Sequence, residues 1–201
     1  MNVFVRYGGW LAYKMCYKFN IEGIENIPQD RAVIIASNHR SLADPAMLTM
    51  PMKLPVTYMA KEELFEKKLF SKLITALGAF PVKRGAGDMQ VIENAVNILK
   101  SGKHLVIFAE GSRSKDGKVG RGKSGVALIA AKSGADVLPA GIIFEGEKLR
   151  FRVKLTVRFG KIIPAEELAL SEEKQAGDLK RIKKRIMDEI RLLVEGEPNE
   201  D

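Results

Sequence analysis

The chain has 201 residues, 46% hydrophobic and 29% charged, enough to bury the core of one globular domain. Its single cysteine excludes an internal disulfide, and one Cys with two His cannot supply a structural zinc set of four Cys/His ligands, a composition that suits a reducing cytosol. An excess of 33 Lys+Arg over 25 Asp+Glu leaves a net charge of +8, which attracts phosphates, nucleic acid or an anionic bilayer without choosing among them.

Residues 1–20 read as a helical, aromatic segment. A spanning helix needs about 20 consecutive apolar residues, and the run from Val3 to Met15 is shorter and is interrupted by Arg6, Lys14 and a Gly pair. It also lacks the basic start and small-residue cleavage pattern of a signal peptide. The segment holds the only Trp, three of the four Tyr, three basic residues and no acid before Glu22. Rings with scattered cations suit the headgroup layer of a bilayer. Phe4, Trp10 and Leu11 equally suit docking on a core, and opposite faces of one helix can serve both.

From there the pattern alternates short β-like runs with helical ones, which predicts a single α/β domain, a mixed and largely parallel sheet flanked by helices, over residues 21–195. Ala32 to Ala36, Val56 to Met59, His104 to Phe108 and Asp136 to Pro139 read as buried strands. Phe151 to Phe159 alternates with period two, as expected where one face meets water. Helices are predicted from Glu62 to Leu77, from Asp88 to Gly102, from Ser124 to Ser133 and from Asp178 to Val194. In the first, Phe65, Leu69, Phe70, Leu73, Ile74 and Leu77 form the expected core face, with Lys67, Lys68 and Lys72 opposite. The acidic stretch from Glu195 is expected to fray, with 196–201 as a tail.

His39 lies at the carboxyl end of a predicted buried strand, where ligands gather in open α/β sheets. Asp44 follows five residues later, inside the first turn of a helix expected near Ser41, from where its carboxylate can fix the imidazole tautomer. Imidazole held that way is a general base. Ser41-Leu-Ala-Asp44 is also a capping box, so the same residues have a purely structural reading. No serine or cysteine is placed as an enzyme nucleophile, so the proton such a base removes is expected to come from a substrate hydroxyl. Arg84 and Arg113 follow strand-like runs and can each grip a phosphate, with the Gly111 and Ser112 amides as added donors. Gly117 to Ser124 also matches the phosphate-loop pattern G-x-x-x-x-G-K-[ST], but several polar residues separate it from the strand ending at Phe108, and no later strand ends in Asp.

Four blocks between about Ala32 and Gly141 together resemble the glycerolipid acyltransferase family, above all the 1-acylglycerol-3-phosphate acyltransferases. Asn38-His39-Arg-Ser41-Leu-Ala-Asp44 is similar to the N-H-x-S-x-x-D block, whose His and Asp are the catalytic pair. Gly78 to Arg84 resembles the second block, ending in a phosphate-binding Arg. Phe108-Ala-Glu110-Gly111-Ser112-Arg113-Ser resembles F-P-E-G-T-R-S, with Lys123 following at the family interval, and Leu138-Pro139-Ala140 resembles the fourth block. Ala109, Ser112 and Ala140 depart from the usual residues.

The resemblance implies that His39 and Asp44 act on the 2-hydroxyl of a lysophosphatidic acid. Arg84, Glu110, Gly111, Ser112, Arg113 and Lys123 would then hold the phosphate, Glu110 by positioning the loop. Amides at the helix after Ser41 are expected oxyanion donors. The donor is an acyl thioester of coenzyme A or acyl carrier protein, with no cofactor, no metal and no nucleic-acid partner expected. Both substrates are lipids, so the chain is expected at the cytoplasmic face of the membrane, peripheral or monotopic. Glycerol 3-phosphate or another lysolipid as acceptor, and a basic membrane- or nucleotide-binding module using the Gly122-Lys123-Ser124 loop, are the competing readings.

Overall fold

Buried β-branched runs that alternate with amphipathic helices can satisfy their backbones only as a sheet covered on both faces. A computed structural model, which describes residues 3–82, 89–171 and 175–196 with side chains from Gly8 onward, has that architecture. Its elements are α1 (Val3–Cys16), β1 (Lys18–Glu22), β2 (Ile34–Ser37), α2 (Asp44–Thr49), β3 (Val56–Lys61), α3 (Lys68–Ala76), β4 (Ala79–Val82), α4 (Met89–Lys100), β5 (His104–Phe108), α5 (Ser124–Ser133), β6 (Val137–Phe144), β7 (Lys154–Phe159) and α6 (Gln175–Glu195).

The strand order is β1-β7-β6-β2-β5-β3-β4, parallel throughout except where β7 meets β6. Alternation along the central strands separates two cores. Ile34, Ala36, Leu105, Ile107 and Val137 face α4, α5 and α6, whereas Val33, Ile35, Val106 and Leu138 face the layer built from α1, α2 and α3. The chain fills positions on one side of β2, returns as β5 beside it, then crosses through α5 to β6 on its other side. The carboxyl end of β2 is therefore a topological switch point, where a crevice opens between diverging connections.

Several predicted elements are revised. The helix expected over Glu62 to Leu77 is a 3-10 turn at Glu62–Phe65 followed by α3, because Lys67 is extended between them and resets the helical phase. In the new phase Ile74 is buried and Phe70 and Leu77 pack on the core, but Leu69 and Leu73 are 87% and 53% exposed rather than core residues. The helix expected near Ser41 begins three residues later, at Asp44, where Pro45 suits the first turn because it has no N–H to leave unpaired. Phe151 lies in an exposed turn ahead of β7; Leu155, Val157 and Phe159 alternate into the core, while Arg158 donates to Leu193 O. Strand β1 was not predicted, and β4 is the strand-like run read ahead of Arg84; it carries Pro81, which an edge position tolerates. Glu195 does not fray: it ends α6, with Gly196 in the left-handed conformation behind it. Arg84, Asp88 and residues 197–201 lie outside the described residues.

Helix α1 docks by one face. Its Tyr13 hydroxyl donates to Ala43 O at 3.1 Å, Gly9 sits over Met50, and burial raises the Tyr13 pKa. Among the described residues no helix is long and apolar enough to cross a membrane.

Candidate active site

β2 ends at Ser37, and the next residue anchors its exit. Asn38 is buried and its side chain acts as an extra rung of the sheet: Nδ2 donates to Ile142 O at 2.9 Å and Oδ1 accepts from Ile142 N at 2.8 Å. The strand ends there, so His39 stands just beyond the carboxyl end of β2.

Asp44 then determines the geometry of the turn. Its Oδ2 accepts from the Arg40 amide at 2.6 Å and the Ser41 amide at 2.8 Å, and lies 2.8 Å from His39 Nδ1. The fully buried carboxylate orients the imidazole and closes the turn ahead of α2, but the capping-box reading is not met: the helix begins at Asp44 itself, its N-cap is Ala43 and no side chain caps it. A carboxylate can only accept, so Nδ1 carries the proton and Nε2 keeps its lone pair. The ring is held from the side by Phe108, stacked at 3.9 Å between centroids and 16° between planes. That contact, between the ends of adjacent parallel strands, leaves no trace in residue spacing.

The segment after β5 is tied to the same turn. Glu110 is buried beyond β5; one oxygen accepts from His39 N at 3.3 Å and the other from Gly120 N at 3.2 Å. Burial raises its pKa, partly offset by those amides. Ser114 N donates to His39 O at 2.8 Å. Gly111 has φ of +70°, and a Cβ there would stand 3.1 Å from Lys123 Cγ, so the lysine stem crosses over this residue. Ser112, Arg113 and Lys123 are exposed. His39, Asp44, Phe108, Glu110, Gly111 and Lys123 are therefore brought to one end of the sheet, with Ser112 and Arg113 on the loop between Gly111 and Ser114.

Amide accounting revises two expectations. The amides of Arg40, Ser41, Ala43 and Asp44 all donate to acceptors within the turn, so they are not open to an oxyanion. Gly111 N is spent on Phe108 O, whereas the Ser112 and Arg113 amides have no acceptor among the described residues. The phosphate-loop reading fails on the same count: Gly117, Lys118, Val119, Gly120 and Lys123 donate their amides to Ser114, Asp116, Glu195, Glu110 and Ala109. A loop with those donors engaged cannot cradle a nucleotide phosphate.

Two further residues at the site escaped the sequence reading. Arg40 donates to Phe144 O at 2.6 Å and Gly146 O at 2.5 Å and lies over the Phe144 ring, joining the His39 turn to the end of β6. Burial lowers its pKa. Glu195, at the end of α6, accepts from Val119 N at 2.9 Å and fixes the far side of the loop. The second histidine, His104, is buried at the start of β5, accepts from Val33 N through Nδ1, and has its pKa lowered by burial.

An imidazole with its carboxylate stands beside a basic loop at the switch point, and among the described residues no serine hydroxyl or cysteine thiol is hydrogen-bonded to the His39 ring. The acyltransferase family model matches residues 18–143, more than half of the chain, and the chain belongs to that family. It is 34% identical over 134 residues to the chloroplastic 1-acyl-sn-glycerol-3-phosphate acyltransferase LPAT1 of Arabidopsis thaliana, a match covering 65% of this chain and 37% of that relative. Against the 1-acyl-sn-glycerol-3-phosphate acyltransferase of Bacillus subtilis it is 30% identical over 171 residues, covering 82% of this chain and 84% of the other. The crystal structure of the 1-acyl-sn-glycerophosphate (LPA) acyltransferase PlsC of Thermotoga maritima superposes with a TM-score of 0.71 at 26% identity, over 94% of this chain and 78% of that one. Compared with the chloroplastic relatives, the chain spans well under half of their length.

Proposed function

We propose that the chain transfers a fatty acyl group from an acyl thioester to the 2-hydroxyl of lysophosphatidic acid, giving phosphatidic acid. The observation that carries this reading is the 2.8 Å contact between His39 Nδ1 and buried Asp44, which leaves Nε2 as a proton acceptor at the crevice. Named relatives that acylate 1-acyl-sn-glycerol 3-phosphate supply the acceptor class.

In the proposed mechanism His39 Nε2 removes the proton of the acceptor hydroxyl as its oxygen attacks the thioester carbonyl. Asp44 keeps the ring oriented and stabilises the imidazolium. Collapse of the tetrahedral intermediate breaks the C–S bond, and the leaving thiolate takes the proton back from the imidazolium. A thioester is already activated, so the step requires no cofactor. Arg113, Lys123 and the free amides of Ser112 and Arg113 bind the phosphate dianion, joined by Arg84. Glu110 and Gly111 shape the loop instead of touching the substrate.

Residues 21–195 form the acyltransferase domain in this reading, and residues 1–20 the segment that associates with the cytoplasmic face of the membrane, peripherally or monotopically. Gly8, Leu11, Ala12 and Met15 form an exposed stripe on α1 opposite docked Tyr13, and Lys14 lies over the Trp10 ring. The test is mass-spectrometric detection of the acylated product, with lysophosphatidic acid, glycerol 3-phosphate and other lysolipids as acceptors and coenzyme A and carrier-protein thioesters as donors. Phosphatidic acid as the dominant product supports the assignment; turnover confined to glycerol 3-phosphate contradicts it.

A further inference from the structure

Helix α3, in the sheet's α1–α2–α3 layer, has a single buried residue, Ile74. Leu69, Lys72, Leu73 and Ala76, at i, i+3, i+4 and i+7, form one stripe, and all four are exposed. The helix uses Phe70, Ile74 and Leu77 to pack on the core, so the stripe points away from it. Lys67, Lys68 and Lys72 flank the leucines and the helix itself contains no acid; Glu62, Glu63 and Glu66 lie ahead of it, on and just after the 3-10 turn. A leucine stripe edged by lysines and open to solvent is the composition of a helix that lies in a headgroup layer.

Two other exposed apolar groups share that layer. One is the α1 stripe with Leu11 and Met15; the other is Leu42, 60% exposed in the turn that carries His39. Ala43, next to Leu42, is the residue that Tyr13 of α1 bonds, so the catalytic turn lies against the N-terminal helix. The opposite layer of α4, α5 and α6 leaves only Met89 and Leu192 as large exposed hydrophobics on its helices, and α6 ties Arg181 to Asp178, Arg185 to Glu189, and Lys184 and Arg191 to Asp188, leaving Lys180 and Lys183 without an ion pair among the described residues.

We propose that α3 is a second membrane contact, in which Leu69 and Leu73 insert into an anionic bilayer and Lys67, Lys68 and Lys72 meet its phosphates. The inference extends the membrane reading of α1, with Leu42 between the two contacts. Bound at both ends of one layer, the molecule presents the His39 crevice to acceptors that remain in the leaflet.

The experiment uses the full chain and Leu69→Ser/Leu73→Ser, a change at solvent-exposed positions whose folding is checked by thermal melting. Partition is measured on phosphatidylglycerol vesicles and on phosphatidylcholine vesicles, and turnover on vesicle-borne and on dispersed short-chain lysophosphatidic acid. The expected result is at least a tenfold loss of partition to phosphatidylglycerol, since each leucine contributes about a factor of ten, with a loss of turnover on vesicles but not on the dispersed acceptor. A Lys67→Gln/Lys68→Gln/Lys72→Gln chain is expected to lose its preference for phosphatidylglycerol over phosphatidylcholine. Unchanged partition of the leucine variant overturns the proposal, as does a parent chain that self-associates through these leucines and ignores vesicles. Absence of any acyl transfer by the parent, with the partition loss intact, counts against the acyltransferase reading and leaves the α3 contact standing.

Discussion

At the scale of single residues, Asp44 carries the most. One of its oxygens receives three donors while the other is buried without a partner among the described residues. Asp44→Asn keeps the shape but removes the charge that stabilises imidazolium, and it places an N–H₂ where no acceptor waits. We expect kcat to fall at least about a hundredfold and stability by about 1–3 kcal/mol, read by steady-state kinetics and urea unfolding. His104 makes a separate prediction. Its pKa is lowered in the fold from the ordinary 6.5, so the unfolded chain binds more protons, and stability falls as pH drops from that value toward the folded one. His104→Asn, which can still accept from Val33 N, is expected to flatten the stability profile below about pH 6.5; the effect removed is at most about 1.4 kcal/mol per pH unit. An unchanged profile would contradict it. The His39–Asp44 pair was legible because it is local, five residues apart. The Phe108 stack, the Arg40 clamp and the Glu195 bond join residues 69 to 106 positions apart, and nothing in the spacing of either partner announces them.

At the scale of elements, periodicity was read well where a helix packs by one face and has a clean stop. Helix α5 begins and ends where expected, at Ser124 and at Ser133 before Gly134. It failed where phase is reset, as at Lys67. Helix α6 was legible as an amphipathic helix but not as part of the site. Its end holds the loop between β5 and α5 through Glu195 and Val119 N, while Arg191 reaches Gly120 O at 3.5 Å and Met187 underlies Gly122. Glu195→Ala should therefore raise KM for lysophosphatidic acid about three- to tenfold with kcat little changed, and Glu195→Gln, which keeps the accepting oxygen, should restore it. Equal effects on KM in both variants, or a fall in kcat alone, would argue against a positioning role.

At the scale of the molecule, the mixed, mostly parallel sheet was legible from the alternation of strand-like and helical runs, but the strand order was not, and the order makes the site. Only because β5 and β6 flank β2 do Glu110 and Phe108 meet His39 on one side and Arg40 reach Phe144 on the other. One helical layer carries the exposed stripes of α1 and α3, with Lys67, Lys68 and Lys72 beside the leucines of α3. With a net charge of +8, partition of the whole chain to anionic vesicles should weaken clearly between about 0.1 and 0.5 M salt, as the Debye length shortens; salt-independent partition would assign binding to apolar insertion alone. The account as a whole stands on His39 taking the acceptor's proton, and its most direct test is turnover of lysophosphatidic acid and an acyl thioester by a folded His39→Gln chain. A loss of at least about a thousandfold in phosphatidic acid formation is expected, and turnover equal to that of the parent would contradict it.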